Sequence, residues 1–187
     1  MATVKFFLGI VCFALAGRYS LPGRNSISLR QNPALANEQR LLQVAKKELG
    51  VRERTGNNDG PGIAAYLGYV HVPEGNAWCA AFVSWVFGQA GYPAPRTAWS
   101  PALFPLNKRT KEIRPAVVFG IYFSHLKRIA HCGLVERQEG DWMITIEGNT
   151  NPAGSREGDG VYRKRRHLKA MKYFANWTGR KGADDEN

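Results

Sequence analysis

The sequence predicts an α+β domain in which N-terminal helices pack on an antiparallel β-sheet of about five strands. Three observations carry this. Helical periodicity is confined to residues before about 90, strand-like runs fill residues 116 to 177, and two of those runs are joined only by the short, glycine-bearing connection Gln138 to Asp141. Helices followed by strands, rather than alternating with them, argue for segregated layers. With 187 residues, 44% hydrophobic and 11% aromatic, the chain has material for one core. Neither wholesale disorder nor two full enzymatic domains fits that composition.

At the N-terminus, Met1 to Lys5 gives a short positive start, Phe6 to Gly17 carries no charge, and Ala14-Leu15-Ala16 offers small residues where a signal peptidase reads. Residues 1–16 are therefore expected to be a signal peptide, which makes the protein secreted or periplasmic. An uncleaved inner-membrane anchor and a buried first helix are the competing readings, although the uncharged run is shorter than the ~20 residues that span a bilayer. Residues 17–31, with Pro22 and Gly23, read as a linker. Residues 32–178 are the domain proper, and 179–187, with Asp184-Asp185-Glu186, a disordered tail.

The first helix is expected from Asn32, which can cap, and Pro33, which suits the first helical position; Leu41, Leu42, Ala45 and Leu49 recur on one face before Gly50. Residues 52–60 are loop, and Asp59 before Pro61 signals a short second helix through Leu67. A third helix should run from about Trp78 to Gln89, capped by Asn76, apolar nearly all round and so central and buried. A turn of helix at Ser100-Pro101 follows a Pro-rich connection. The candidate strands are 116–123, 129–137, 142–147, 160–165 and 172–177.

Cys79 falls in the first turn of the buried third helix. There the unpaired backbone N–H groups and the positive end of the helix dipole favour a thiolate over a thiol. A small apolar residue in a core is the plain alternative. His131 supplies a base or ion-pair partner from the strand 129–137, where His131, Gly133 and Val135 share one face. If the Cys79 helix covers that face, imidazole and sulfur meet, and Gly133 leaves room for the close approach.

Glu147-Gly148-Asn149 ends the strand that hairpin pairing sets beside the His131 strand. Glu147 and Asn149 have the same parity. Either one can accept the second imidazole N–H, and the other can then serve a developing oxyanion or bind substrate. Spacing alone does not choose between them.

Three blocks, Trp78-Cys79-Ala80-Ala81-Phe82-Val83-Ser84-Trp85, Ala130-His131-Cys132-Gly133-Leu134-Val135 and Ile146-Glu147-Gly148-Asn149-Thr150, resemble the successive motifs of CHAP domains. These are cysteine, histidine-dependent amidohydrolases/peptidases of the papain-like superfamily. The resemblance runs from about Ala45 to Trp177, and the stretch Gly158 to Arg166 is similar to a closing strand in some bacteroidete and phage-related members. It implies a papain-like fold, Cys79 as nucleophile, His131 as base, and Glu147 and Asn149 as the orienting and polar groups. Trp78, Asn76 and Gly148 are weaker substrate-binding candidates. One departure stands out: relatives carry Pro-Gly-Asp before the His strand, where this chain has Pro115-Ala116-Val117. The change bears on turn geometry rather than on chemistry.

The implied activity is cleavage of a peptidoglycan amide, in the stem peptide or cross-bridge or at the muramoyl-L-alanine bond, through a cysteine acyl-enzyme. It requires no cofactor and no metal. The expected partner is peptidoglycan, with an inhibitor or immunity protein as a further one, and the chain is expected to act as a monomer. A zinc site is disfavoured because no HExxH or CxxC pair exists and His131 and Cys132, as strand neighbours, point to opposite faces. The same alternation argues against a Cys79–Cys132 disulfide. Serine hydrolase chemistry lacks a GxSxG elbow, and Ser84 lies inside a helix.

The formal charge of +11 suits a polyanion. Loss of residues 1–16 removes Lys5 and leaves +10. The run Arg163-Lys164-Arg165-Arg166, with His167 and Lys169, is the best argument for nucleic acid; a solvated, charged strand edge explains it equally well. No nucleic acid is expected as partner for an exported protein. A non-catalytic wall-binding or basic nucleic-acid-binding module is the rival class, and it would not need Cys, His and carboxylate in this order.

Overall fold

The computed structural model describes residues 33–153 and 158–179. The expected signal peptide, the linker, the Asn32 cap and nearly all of the tail lie outside the described residues. Three α-helices, α1 (Pro33–Lys47), α2 (Pro61–Tyr69) and α3 (Cys79–Gln89), precede six strands. The strands are β1 (Arg109–Thr110), β2 (Val118–Phe123), β3 (Arg128–Glu139), β4 (Trp142–Thr150), β5 (Gly160–His167) and β6 (Tyr173–Ala175). They form one antiparallel sheet in the order β1-β6-β2-β3-β4-β5. The α+β class and the helices-then-strands order are as expected; the two-residue β1, too short for any periodicity, is an addition.

Two expected helix caps are not made. Asp59 does not cap α2: Gly60 holds that position, and the Asp59 carboxylate accepts from the Thr55 backbone N–H at 2.9 Å and pairs with Arg54. Asn76 does not cap α3 either. Trp78 holds that position without a side-chain bond, while Asn76 donates to the Pro73 carbonyl in the preceding turn. Both polar side chains found backbone partners inside their own loops, the competition that makes Asx residues frequent in turns as well as at caps.

The core lies between α3 and the sheet. Eight of the eleven α3 residues are buried, from Cys79 through Ser84 with Val86 and Phe87, as the all-round apolar pattern required. Opposite them the sheet offers Val118, Ile129, Cys132, Leu134 and Ile146. The far face carries a second cluster, Val117, Phe119, Val135 and Met143, covered in part by Leu168, Met171 and Phe174. Ile129 and Cys132 both face the helices although they differ in parity. A bulge explains this: Ile121 opposes His131 while Tyr122 opposes Ile129, so Ala130 is the extra residue and alternation reverses there.

At Pro115-Ala116, Ala116 takes φ 69° and donates its N–H to the Val135 carbonyl at 2.9 Å. The turn that glycine usually serves is thus kept, at the steric cost of a Cβ in the left-handed region.

Candidate active site

The first intrahelical bond of α3 runs from Phe82 N–H to the Trp78 carbonyl at 2.8 Å, so the N–H groups of Cys79 to Ala81 lie in the open first turn. Cys79 is 5% exposed and lines a cleft with His131, Asn149, Asn58, Arg128 and Arg166. Its Sγ lies 3.4 Å from the Ser100 hydroxyl, carried by the 3-10 turn Ser100–Leu103. The thiol is held well below its ordinary value. A hydrogen bond from Cys132 lowers it most, burial opposes, and hydrogen bonding and charge from His131 with the Ser100 contact add to the lowering.

His131 Nε2 is 2.8 Å from Glu147 Oε2. That leaves Nδ1 as the ring nitrogen free to serve Cys79, which lines the same cleft and favours the protonated ring. Burial alone would lower the His131 value; the bonds to Cys79 and Glu147 outweigh it and raise it to about 9. Glu147 is completely buried. Burial would raise its value, yet Arg166 and His131 bring it down to about 2. Arg166 grips it at two points, Nη2 to Oε2 at 2.6 Å and Nε to Oε1 at 2.9 Å, and the Thr145 hydroxyl adds a bond to Oε1 at 2.5 Å. Four groups of alternating charge result: thiolate, imidazolium, carboxylate, guanidinium.

Between the two polar candidates at the end of β4, Glu147 is the one on His131. Asn149 sits at φ 53° in a second bulge, where Glu147 opposes Tyr162 and Thr150 opposes Gly160. That bulge turns its amide away, and Nδ2 donates to Asn58 Oδ1 at 3.1 Å in the cleft wall. Asn58 is held in turn by Glu53, which accepts from its backbone N–H at 2.9 Å.

The facing of β3 is the reverse of that expected. Cys132 and Leu134 point to the helical layer, whereas Gly133 and Val135 point to the far face. A Cβ on Gly133 would meet Glu147 Cγ, the Ile146 carbonyl and Phe119 Cε1, each at 2.9 Å, so its missing side chain makes room for the orienting carboxylate and not for the helix. His131 still reaches Cys79 because the bulge at Ala130 directly precedes it, and bulges re-aim the neighbouring side chain. Opposite facing therefore does not separate the two sulfurs: Cys132 faces the helical layer near enough to Cys79 to favour its thiolate, and neither is in a disulfide. Cys132 itself is pushed well up by burial and by Cys79, so it stays protonated and donates.

The three weaker candidates have other work. Trp78 is fully buried and donates its indole N–H to Glu53 at 2.8 Å, pinning the 52–60 loop to the start of α3. Gly148 packs against that helix: a Cβ there would stand 2.6 Å from Trp78 and 2.7 Å from Phe82. Asn76 lies in its turn. Ser84, the only serine weighed as a nucleophile, is locked to Thr97 by bonds of 2.9 and 3.0 Å.

The basic run on edge strand β5 is internally engaged. Arg163 pairs with Glu136 at 2.6 Å, Lys164 donates to the carbonyls of Asn151 and Pro152, Arg165 stacks on Trp142, and Arg166 holds Glu147. Arg166 was hidden in sequence by its charged neighbours. The available signal was parity, since the pairing of β4 with β5 puts residues 162, 164 and 166 on the face of Glu147. Ser100 carried no signal beyond its turn.

Among the described residues no group of three or more His, Cys, Asp or Glu could hold a metal ion, and no helix is long and apolar enough to cross a membrane. Fold and site define an α+β domain with a cysteine, a histidine and a glutamate in line at the junction of a helix and a sheet. No family model matches the chain. No curated protein matches it either. Among solved structures it is similar to Ly7917, with a TM-score of 0.45 and 14% identity over 76% of this chain and 63% of that one. Ly7917 solved "with the hydrolyzing product of MDP" gives a TM-score of 0.42 and 15% identity over 75% and 63%. The chain thus spans less than two thirds of Ly7917.

Proposed function

We propose that this protein is a cysteine amidohydrolase or peptidase of the CHAP type, exported by its first 16 residues and acting on peptidoglycan. The observation that carries the reading is the row formed by Cys79 at the helix start, His131 beside it in the same cleft, and Glu147 hydrogen-bonded to the imidazole Nε2. This is the arrangement nucleophilic acyl transfer needs: a thiolate, a proton donor beside it, and a fixed carboxylate behind. The wall as substrate rests on the resemblance of the three sequence blocks.

In the proposed reaction the Cys79 thiolate attacks the amide carbonyl, and the Sγ–C bond forms as the carbonyl π pair moves to oxygen. The open N–H groups at the start of α3 would receive that oxyanion. On collapse the C–N bond breaks, His131 delivers its proton to the leaving amine, and a thioester remains. The neutral imidazole then takes a proton from water, whose hydroxide attacks the thioester. The thiolate leaves, and the carboxylic acid is released. Asn149 and Asn58 line the cleft as an amide pair for a peptide backbone.

The test is incubation of the full chain, and of Cys79→Ala, with purified peptidoglycan, followed by mass spectrometry of soluble products. Muropeptides from the wild type alone support the reading, and their masses name the bond cut. Equal release by Cys79→Ala, or tight wall binding without release by the wild type, would replace it with the wall-binding module.

A further inference from the structure

Glu147 is an unusual orienting group for its surroundings. Its carboxylate has no exposed surface, and a lone carboxylate in such a place takes up a proton and becomes neutral. A neutral Glu147 would leave the imidazolium without a counter-charge and let the Cys79–His131 pair relax to thiol and imidazole. Something must keep the carboxylate charged while leaving the oxygen edge that faces His131 free for the ring.

We propose that Arg166 is a positioning residue for the Cys79–His131 pair, acting through a two-point grip on the Glu147 carboxylate. The inference rests on the reading of Cys79 as nucleophile, but not on which substrate is cut. The geometry is that of a fork on a carboxylate, with bonds of 2.6 Å to Oε2 and 2.9 Å to Oε1. Such pairs fix orientation as well as charge, which a lysine ammonium cannot do. Oε2 takes both Arg166 and His131, so the grip sets the angle at which the imidazole is held.

The groups around the carboxylate are few. His131 faces it from β3, Arg166 and the more distant Lys164 from β5, where Tyr162 stands in register opposite, and Thr145 from its own strand; the protonated Cys132, on the helix side of β3, feels its charge, and Cys79 lies beyond the imidazole on α3. Arg166 and Lys164 are thus the permanent cations in this set. Lys164 spends its ammonium on the carbonyls of Asn151 and Pro152, which leaves Arg166. The guanidinium also lines the cleft with its side chain 23% exposed, so it is close enough to substrate that its loss must be read by more than turnover.

The experiment measures the pH dependence of Cys79 alkylation by iodoacetamide in the full chain, for wild type, Arg166→Gln and Arg166→Lys, with circular dichroism to establish folding. Cys79→Ala supplies the background from other thiols. The expected result for Arg166→Gln is an acid limb moved up by about one pH unit or more, because Glu147 protonates earlier and the thiolate follows. Arg166→Lys should restore the limb to near the wild-type position while leaving hydrolysis about tenfold or more below it, since charge returns but the fork does not. A folded Arg166→Gln with the wild-type alkylation profile would overturn the proposal. If Arg166→Gln does not fold, Arg166→Lys decides alone: wild-type hydrolysis in it would overturn the two-point grip. The alkylation profile needs no wall substrate, so failure to cleave peptidoglycan and failure of the grip are separate results.

Discussion

His131 Nε2 and Glu147 Oε2 stand 2.8 Å apart, and this one bond leaves Nδ1 as the imidazole nitrogen turned away from the carboxylate. Glu147→Gln keeps the shape but offers the ring an uncharged amide that can present a donor where an acceptor is needed. Loss of the orienting carboxylate in comparable triads costs about 10⁴-fold in turnover, so a fall of ~10²–10⁴-fold is expected. Asn149→Ala, which leaves that bond untouched, should cost far less. Steady-state kcat for the two variants makes the comparison, and equal losses would contradict the assignment of Glu147 over Asn149.

The pH profile has a definite sign on each side. His131, raised from 6.5 to about 9, contributes stability that is complete below 6.5 and is lost as pH rises through 9. Glu147, lowered from 4.5 to about 2, contributes stability complete above 4.5 and lost as pH falls through 2. Hydrolysis should therefore decline on the alkaline side near pH 9, where the donor for the leaving amine disappears. Alkylation of Cys79 should show no such decline, since the thiolate survives deprotonation of its neighbour. Parallel measurement of kcat/KM and iodoacetamide rate across pH 5 to 10 separates the two; a shared alkaline limb would mean that His131 does not deliver the proton.

Cys132→Ala should alter the nucleophile without touching the base. The thiol of Cys132 is the strongest single influence lowering Cys79. The acid limb of Cys79 alkylation should move to higher pH, and turnover at neutral pH should fall only modestly. An unchanged limb in the folded variant would remove Cys132 from the site.

Gly133→Ala tests the far-face packing. The added methyl meets Glu147, Phe119 and the Ile146 carbonyl together at 2.9 Å. Overpacking of this kind costs ~1–3 kcal/mol. A lower Tm together with loss of turnover is expected, because the displaced group is the orienting carboxylate. Wild-type Tm and activity would mean that this wall gives way more easily than its backbone atom suggests.

The order of elements was legible because it depends on local signals, apolar residues all round α3 and alternation along β3 and β4, and the thiol at the helix start and the histidine of β3 do line one cleft. Which face of β3 the helices cover was not legible. Alternation sorts residues into two sets, but a single bulge exchanges the sets, and Ala130 has nothing in its side chain that announces one. Spacing left the choice between Glu147 and Asn149 open for the same reason, since the second bulge lies between Glu147 and Thr150. Arg166 was illegible because its role is set by a strand pairing across nineteen residues of sequence, within a run whose charge alone suggested solvent or a polyanion. Trp78 and Gly148, expected only as weak substrate-binding candidates, are buried where α3 meets β4.

Gly148 carries a consequence of its own. It is where the strand holding Glu147 rests on the helix holding Cys79, with Trp78 and Phe82 as the opposing surface. The spacing between the layers that carry Cys79 and Glu147 is therefore gauged by the thickness of a hydrogen atom. A methyl at this position would work as a shim, tilting one layer against the other while leaving every reacting group chemically intact. Misplacement by about 1 Å can cost ~10²-fold in rate. The output of the site can thus be throttled from a residue that has no chemistry of its own.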